Sequence, residues 1–369
     1  MSLHKVCIAS GIFPPDKGGP AQFASSFSQW CVDQGYPTTV ISLSDGPNTS
    51  NKVGDLHIQL ISRRKNLLAR YFATIRALMK ISNDHTIIIN GLFLETLFAS
   101  LIKGFEYIAK VPGDIVWERA RNQEKTLLDI DAYQGQEDFV KKIMRRLFTL
   151  SLKKAERVLA PSDHMASLIK SWGISGEKIA VVRNSVDLSL FHGESLVRPS
   201  YDLITVCRLT PWKGVSEIIS ESAKRDMSLC VIGSGPEEFA LKKLALDLEA
   251  KVIFLGELDQ KEIPAQIMKS RCFVLNSTYE GSPHALLEAM ALGSLVIARE
   301  STGTSEVIVD GVNGFLCGQN RTLGESLDLI FDANFDGKSM KDKASQTITT
   351  QYSREKVFRS ILDSLKVLP

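Results

Sequence analysis

The stretch Cys272–Ala298, CFVLNSTYEGSPHALLEAMALGSLVIA, decides the fold. It opens on one apolar run, Cys272–Asn276, and closes on another, Leu295–Ala298. Near-continuous apolar runs of this length mark parallel strands buried on both faces. Between them lies a single helical segment. Ser282 suits an N-cap, Pro283 the first helical position and Gly293 the C-terminal stop. Strand, helix and strand in that order make one crossover unit of an α/β protein.

The same pattern runs outward in both directions. Upstream strands are expected at Leu203–Arg208, Ser228–Ile232 and Val252–Leu255. A second series occupies the first half, at Val6–Ser10, Thr38–Leu43, Thr86–Asn90, Tyr107–Val111 and Arg157–Ala160. The polar stretch Asp187–Ser200, with Gly193 and Pro199, separates the two series. A chain of 369 residues suits two domains. The boundary is expected near residue 190.

Composition excludes several classes. With 44% hydrophobic and 23% charged residues the chain is globular, not disordered or fibrous. A net charge of +2 argues against a nucleic-acid partner. The charge is uneven, net +6 over residues 1–198 and −4 over 199–369, so the first half is the candidate for an anionic surface. Six cysteines without a C-x-x-C pair fit a reduced, cytoplasmic compartment. Six isolated histidines offer no zinc spacing. No signal peptide is readable at the N-terminus. The apolar stretch Ile87–Ile102 is interrupted by Asn90, Gly91 and Glu95 and reads as a buried strand followed by a helix. Residues 61–80 carry six basic and no acidic side chains, with Leu67, Leu68, Tyr71, Phe72, Ile75, Leu78 and Met79 at helical spacing. A basic amphipathic helix can lie on an anionic bilayer or simply pack on the sheet. A second basic stretch, Lys141–Arg157, reads as structural.

Ligands of open α/β sheets bind beyond the carboxyl ends of the strands, so the loops after strands carry the candidate chemistry. Gly18 and Gly19 follow the first strand and open a helix. Such a pair allows close backbone approach to an anion or makes a plain turn. Arg208 and Lys213 share one loop and can face a single anion, one as a fork and one as a point charge. Gly233-Ser234-Gly235 opens another helix, with Glu238 where a dinucleotide fingerprint has its third glycine. Glu280 precedes the helix of the opening stretch and Glu288 lies within it, so the two carboxylates serve different parts of one ligand. Ser282, Pro283 and His284 form a helix start whose free N–H groups are suited to phosphate.

These pieces together resemble a known family. Glu280-x7-Glu288 is similar to the E-x7-E motif of retaining glycosyltransferases of family 4 (glycosyl transferases group 1). Phe13–Pro20 looks like that family's PP-x-x-GG loop, and Val158–Ser162 like the strand and serine that close its first domain. Arg183–Phe191 resembles its linker and Val206–Gly214 its R-L-x-x-x-K-G loop. Ile232–Pro236 and Phe254–Gly256 resemble the next two loops. Gly303–Glu306 with Asp310–Gly314 is similar to its closing segment. The resemblance covers nearly the whole chain. Departures are Ser185 and Cys207 in place of glycines, and Asp114 where many members carry a histidine.

The resemblance implies the GT-B fold, two Rossmann-like parallel-sheet domains facing a central cleft. It implies an acceptor-binding domain over 1–190, a donor-binding domain over 191–350 and a helix over 351–369 that crosses back to the first. The donor would be a nucleoside-diphosphate sugar, UDP- or GDP-linked, with no cofactor and no metal. Arg208 and Lys213 would hold the diphosphate, Glu280 would orient the sugar and Glu288 would bind ribose. Asp114 would stand near the sugar. Gly18 and Gly19 would approach diphosphate or acceptor, Gly233, Gly281, Ser282, Pro283 and His284 would line the donor site, and Gly256 would lead to the base. The product would retain configuration through same-face transfer. The acceptor would be a glycan or lipid-linked glycan, as in cell-surface polysaccharide or glycolipid synthesis. The enzyme would be cytoplasmic, peripheral on the inner face of the plasma membrane through 61–80. A nucleotide-sugar 2-epimerase on the same scaffold and an NAD-dependent oxidoreductase resting on Gly233–Pro236 stay open as alternatives. Asp129-Ile130-Asp131 spells the metal motif of an unrelated fold and reads as coincidence.

Overall fold

Strands form where the sequence places unbroken apolar runs, and the computed structural model, which describes residues 5–16, 18–81, 83–123, 126, 128–188 and 199–366, arranges them in two sheets. The chain divides into two compact units, Met1–Val182 with Ile361–Pro369, and Arg183–Ser360. The break thus lies at Val182/Arg183, earlier than the expected residue 190. The expected boundary, Gly193 and the end of the linker motif (Ser189, Leu190 and Phe191) lie outside the described residues, as does Lys17 of the glycine loop. The last helix, Arg354–Lys366, starts in the second unit and ends in the first.

The first unit holds eight strands: β1 (Lys5–Ser10), β2 (Thr38–Ser44), β3 (Thr49–Val53), β4 (Leu56–Ser62), β5 (His85–Asn90), β6 (Ile108–Lys110), β7 (Arg157–Ala160) and β8 (Ile179–Val181). Their order is β3-β4-β2-β1-β5-β6-β7-β8, parallel except for the β3–β4 hairpin. The order reverses between β1 and β5. The sequence pattern missed β3, β4 and β8. The TSNKV of β3 is largely exposed, so no hydrophobic alternation marks it. β8 has only three residues. Helices Leu67–Met79, Phe93–Lys103 and Phe139–Lys154 pack side by side, the middle one touching both others.

The second unit holds β9 (Tyr201–Val206), β10 (Leu229–Ile232), β11 (Val252–Gly256), β12 (Ser270–Leu275), β13 (Leu295–Arg299) and β14 (Phe315–Cys317). All are parallel, in the order β11-β10-β9-β12-β13-β14, the doubly wound Rossmann arrangement. Alternate residues feed two separate cores. Leu203, Val231, Val274 and Ile297 face one, and Ile204, Cys230, Phe273 and Val296 face the other. Both faces are covered, which is why these strands read as continuous apolar runs. At ~1.5–3 kcal/mol per buried aliphatic or aromatic side chain, this two-sided burial holds the sheet rigid beneath its loops.

Candidate functional site

The strand order of the second unit reverses between β9 and β12, so their carboxyl-end loops lie side by side there. The loop after β9 is strung along the loop after β10. Cys207 N donates to Ile232 O at 3.1 Å, Leu209 N to Ser234 O at 2.8 Å, and Glu237 N to Leu209 O at 3.1 Å. Gly233 makes this possible. It has φ 129°, and a Cβ there would fall 1.9 Å from Cys207 O. Burial pushes the Cys207 thiol up to about 11, so this sulfur is a packing group and not a nucleophile. Gly233 N also donates to Gly256 O at 2.8 Å, which fixes the next loop, and Ser234 Oγ bonds Glu257 Oε1 at 2.5 Å.

Beyond Arg208 the chain makes a tight turn, Pro211–Lys213, closed by Gly214. Thr278 N, after β12, donates to Trp212 O at 2.8 Å. Asn276 fastens the same turn from below. It is 1% exposed, and its Nδ2 donates to Gly214 O and to Glu217 Oε2, each at 2.9 Å. Its Oδ1 accepts from Arg299 Nε at 3.0 Å, and Arg299 pairs in turn with Glu217. The result is a direct contact between the two loops. Lys213 Nζ sits 2.5 Å from Glu280 Oε1, with both side chains largely buried. Arg208 is exposed, and its guanidinium makes no hydrogen bond or ion pair among the described residues.

Glu280 is held by its backbone. A Cβ on Gly303 would fall 2.2 Å from Glu280 O and 3.2 Å from Gly281 C, so only glycine lets the segment after β13 back this loop. The linker supports it too, since Asn184 Nδ2 donates to Ser282 O at 3.2 Å, and Arg183 lies 3.7 Å from Glu306. The helix that follows spans His284–Ala291, with Pro283 as its N-cap. This corrects the sequence reading by one residue. Pro283 is extended (φ −80°, ψ 91°) and no side chain caps the helix, so Ser282 is not the capping residue. The N-cap itself offers the first turn no side-chain acceptor, and this turn faces the same edge as Lys213 and Glu280. His284 and Glu288 stand one turn apart on a shared face. Gly293, at φ 67°, ends the helix as expected.

The second unit thus gathers Arg208, Lys213, Gly233, Gly256, Glu280, Gly281, Ser282, Pro283, His284 and Glu288 at its carboxyl edge. Two cations, a helix start and tightly backed glycine loops suit an anionic ligand with several phosphate oxygens. The sequence did not single out Asn276. A lone polar residue ending an apolar strand was the available signal.

The remaining predicted residues belong to the first unit. Gly18, at φ 131°, caps the helix Gly19–Asp33 without any side-chain acceptor for its first N–H groups. Asp114 does not stand open to a ligand, which corrects the expectation for it. It is fully buried and caps the helix Ile115–Asn122, accepting from Val116 N at 3.0 Å and Trp117 N at 3.1 Å. Its other oxygen takes Arg145 at 2.6 Å and Gln134 at 3.0 Å. A carboxylate so engaged is a structural hub. Two neighbours escaped the sequence reading. Lys110 ends β6 at 4% exposure with no hydrogen bond or ion pair among the described residues, its Nζ 4.5 Å from the Phe23 ring centre. Burial pushes its amine down to about 8. Glu118 keeps surface open to solvent, but desolvation and the Asp114 charge raise its carboxyl to about 7. Asp129 caps a short helix and Asp131 pairs with His164 at 2.9 Å. Among the described residues no cluster of three metal-ligating side chains forms, and no helix is long and apolar enough to cross a membrane.

Comparison with known proteins agrees with this geometry. Residues 193–347 match the family described as Glycosyl transferases group 1, and residues 118–190 match Glycosyltransferase Family 4; together they take in more than half of the chain. The O-antigen chain mannosyltransferase of Salmonella typhimurium is 30% identical over 198 residues, 52% of this chain and 56% of that protein. A subunit of human phosphatidylinositol N-acetylglucosaminyltransferase is 21% identical over 322 residues, 84% of this chain and 64% of that protein. The chain thus spans less than two thirds of these relatives' lengths. A crystal structure of the Anabaena protein HepE with UDP and glucose superposes with a TM-score of 0.78 at 18% identity, covering 98% of this chain and all of that one. With the doubly wound sheets and the cation–glutamate edge already described, these matches place the chain in the group 1 glycosyltransferases, with the GT-B fold.

Proposed function

We propose that the chain is a retaining, metal-independent hexosyltransferase of family 4 that uses a nucleoside-diphosphate sugar. The observation that carries this is the Lys213–Glu280 contact at the β9/β12 reversal, beside the unengaged Arg208 and the start of the helix His284–Ala291. Arg208 and Lys213 neutralise the diphosphate as the bond from the sugar's anomeric carbon to phosphate oxygen breaks. Fixed cations aimed at a developing charge are the strongest kind of help such a site can give. Glu280, held beside Lys213, orients the sugar, and Glu288 takes the ribose hydroxyls. The acceptor oxygen bonds the anomeric carbon on the face the phosphate leaves, and its proton passes to the departing phosphate oxygen. No carboxylate nucleophile enters this scheme. Two side-chain cations on one loop take the place that a divalent ion would have beside the diphosphate.

UDP is the favoured nucleotide, since HepE, alike in fold, was solved with UDP and with UDP-glucose. The relatives named for O-antigen chains and phosphatidylinositol support a glycan or lipid-linked acceptor, bound by the first unit at a membrane surface that includes residues 61–80. Polysaccharide synthesis is the setting.

The test is a thermal-shift panel of UDP, GDP, ADP and their sugars, with and without EDTA, on the wild type and Arg208→Ala. A ligand at 100 times its dissociation constant stabilises by ~2.7 kcal/mol. The expected result is a shift with one nucleotide, insensitive to EDTA and lost in Arg208→Ala. No nucleotide shift, or a shift with a nicotinamide cofactor alone, would sink the proposal.

A further inference from the structure

Asn90 ends β5 and Lys110 ends β6, neighbouring strands of the first unit beside the point where its strand order reverses. The register pairs Ile88 with Ile108 and Ile89 with Ala109, so Asn90 and Lys110 come next in step and share one face of the sheet. Both meet the first turns of the helix Gly19–Asp33. Asn90 Nδ2 donates to Pro20 O at 2.9 Å, and Lys110 Nζ lies 4.5 Å from the centre of the Phe23 ring. Pro20 and Phe23 stand three apart, on one side of that helix.

Each of the two side chains keeps a polar group unused. Asn90 is 1% exposed, and its Oδ1 accepts no hydrogen bond among the described residues. Lys110 is 4% exposed, and its ammonium has no hydrogen bond or ion pair there. No nearby carboxylate offsets the charge, and burial alone pushes the amine down to about 8. Buried polar groups are normally paired, and an unpaired buried cation is the costliest exception. Gly18 caps the same helix at φ 131° and gives its first turn no side-chain acceptor, which leaves a start that favours anions.

These unmet groups describe a ligand. The ammonium and the helix start are donors and call for an anionic oxygen. Asn90 Oδ1 is an acceptor and calls for a hydroxyl. A water molecule would satisfy Oδ1 but leave the ammonium charge unmatched. A neutral sugar supplies the hydroxyl without the charge. A sugar that carries an acidic group supplies both within a few bonds. The four-carbon stem of Lys110 lets its ammonium leave the Phe23 ring for such an anion.

We propose that the strand ends at Asn90 and Lys110, with the start of helix 19–33, form a binding site for an acidic sugar, either a uronic acid or a sugar phosphate. The acidic group takes the Lys110 ammonium and the helix N–H groups, and a sugar hydroxyl donates to Asn90 Oδ1. The site explains why the first unit keeps a cation that its fold is better off without. That the bound sugar is the acceptor rests on the transferase reading; the site itself does not.

The experiment is calorimetric titration of the full chain with glucuronate, glucose 6-phosphate and glucose. UDP is present throughout to occupy the donor edge, and the series is repeated in Arg208→Ala to remove donor-edge binding of the phosphate. Two variants are titrated alongside. Lys110→Met removes the charge and should fold at least as well as the wild type. Asn90→Asp sets a carboxylate beside Lys110 in the ligand's place. Labelling with acetic anhydride, read by mass spectrometry, reports whether the Lys110 amine is covered. The expected result is that at least one acid binds and protects Lys110 while glucose does not. Both variants should bind it about 30-fold more weakly, the loss of one charge-assisted hydrogen bond. Binding of glucuronate alone assigns a carboxylate-bearing sugar, and of glucose 6-phosphate alone a phosphate-bearing one. The proposal is overturned if neither acid binds, if glucose binds as well as the acids, or if Lys110→Met binds like the wild type. UDP titrated by itself separates the two readings. An acidic sugar that binds a chain indifferent to UDP keeps this site and drops the donor reading, and UDP binding without acidic-sugar binding does the reverse.

Discussion

Asn276 tests the architecture of the donor edge most directly, because one side chain fastens the turn that carries Lys213. Its orientation is fixed by its partners, since Nδ2 meets two acceptors, Gly214 O and Glu217, while Oδ1 meets a donor, Arg299. Replacing it with alanine removes one neutral and two charge-assisted hydrogen bonds. At ~1 kcal/mol for the first and ~2 kcal/mol for each of the others the gross loss is ~5 kcal/mol. Glu217 and Arg299 keep side-chain exposures of 44% and 26%, so water re-engages them and the net falls to ~3 kcal/mol. For a unit of this size that lowers its Tm by ~6–12 °C. Calorimetry of Asn276→Ala, with and without UDP, should show that drop and at least tenfold weaker UDP binding, because the Lys213 turn is no longer held. Asn276→Asp adds a sharper check. Its carboxylate would face Glu217 and could not donate to Gly214 O, so its folded-state pKa is raised. The protonated form can donate, hence the variant should gain stability relative to wild type as pH falls from 7 towards 5. A variant with unchanged UDP affinity, or an aspartate form indifferent to pH, would refute the account.

Three further outcomes follow from single contacts. Gly303→Ala places a Cβ against Glu280 O and should displace the Glu280 loop, cutting UDP-sugar affinity at least tenfold while circular dichroism stays unchanged. Lys110→Met should stabilise the first unit at pH 7 by ~2 kcal/mol, from ~3 kcal/mol of removed charge burial less ~1 kcal/mol of cation–π contact. The sign is set by a depressed amine. The folded state bears the cost fully below pH 8, and the cost fades as pH rises towards the ordinary lysine range, so the gain in Tm should vanish in alkaline buffer. Asp114→Ala strips a cap and the buried partner of Arg145, which keeps Glu137 at 3.1 Å, and should cost ~3 kcal/mol in urea unfolding without specifically weakening UDP binding. Selective loss of UDP binding in a fully stable Asp114→Ala would return this residue to the donor site.

The fold was legible because burial on both sheet faces leaves unbroken apolar runs, and ten such runs became strands within a few residues of their expected limits. What escaped was strand β3, whose exposed polar residues carry no pattern, its hairpin partner β4, which is only partly buried along most of its length, and the three-residue strands β8 and β14. The donor edge was legible for a different reason. Arg208, Lys213, Glu280 and Glu288 lie in loops directly after strands or in the helix that such a loop opens, so topology alone brings them to one edge. Asp114 shared that position but not that fate, since a carboxylate three residues before a helical N–H group can cap it, and sequence does not tell the two uses apart. Asn276 and Lys110 were hidden because each looks like the tail of an apolar strand. Their importance comes from partners, or the lack of them, that only the fold assembles. Helix 67–79 was foreseen, but its apolar residues split between the interior and an outward face, which periodicity read as a single stripe.

The last helix has a consequence for how the molecule is made. Ile361 and Leu362, both buried, belong with the first unit although the whole of residues 183–360 is synthesised before them. At ~5–20 residues per second that intervening stretch takes roughly 9 to 36 seconds. During this time the first unit waits on the ribosome without its last segment, while the second can finish behind it. The order of completion is therefore the reverse of the order of synthesis, and the half-made first unit is the species that chaperones and proteases meet.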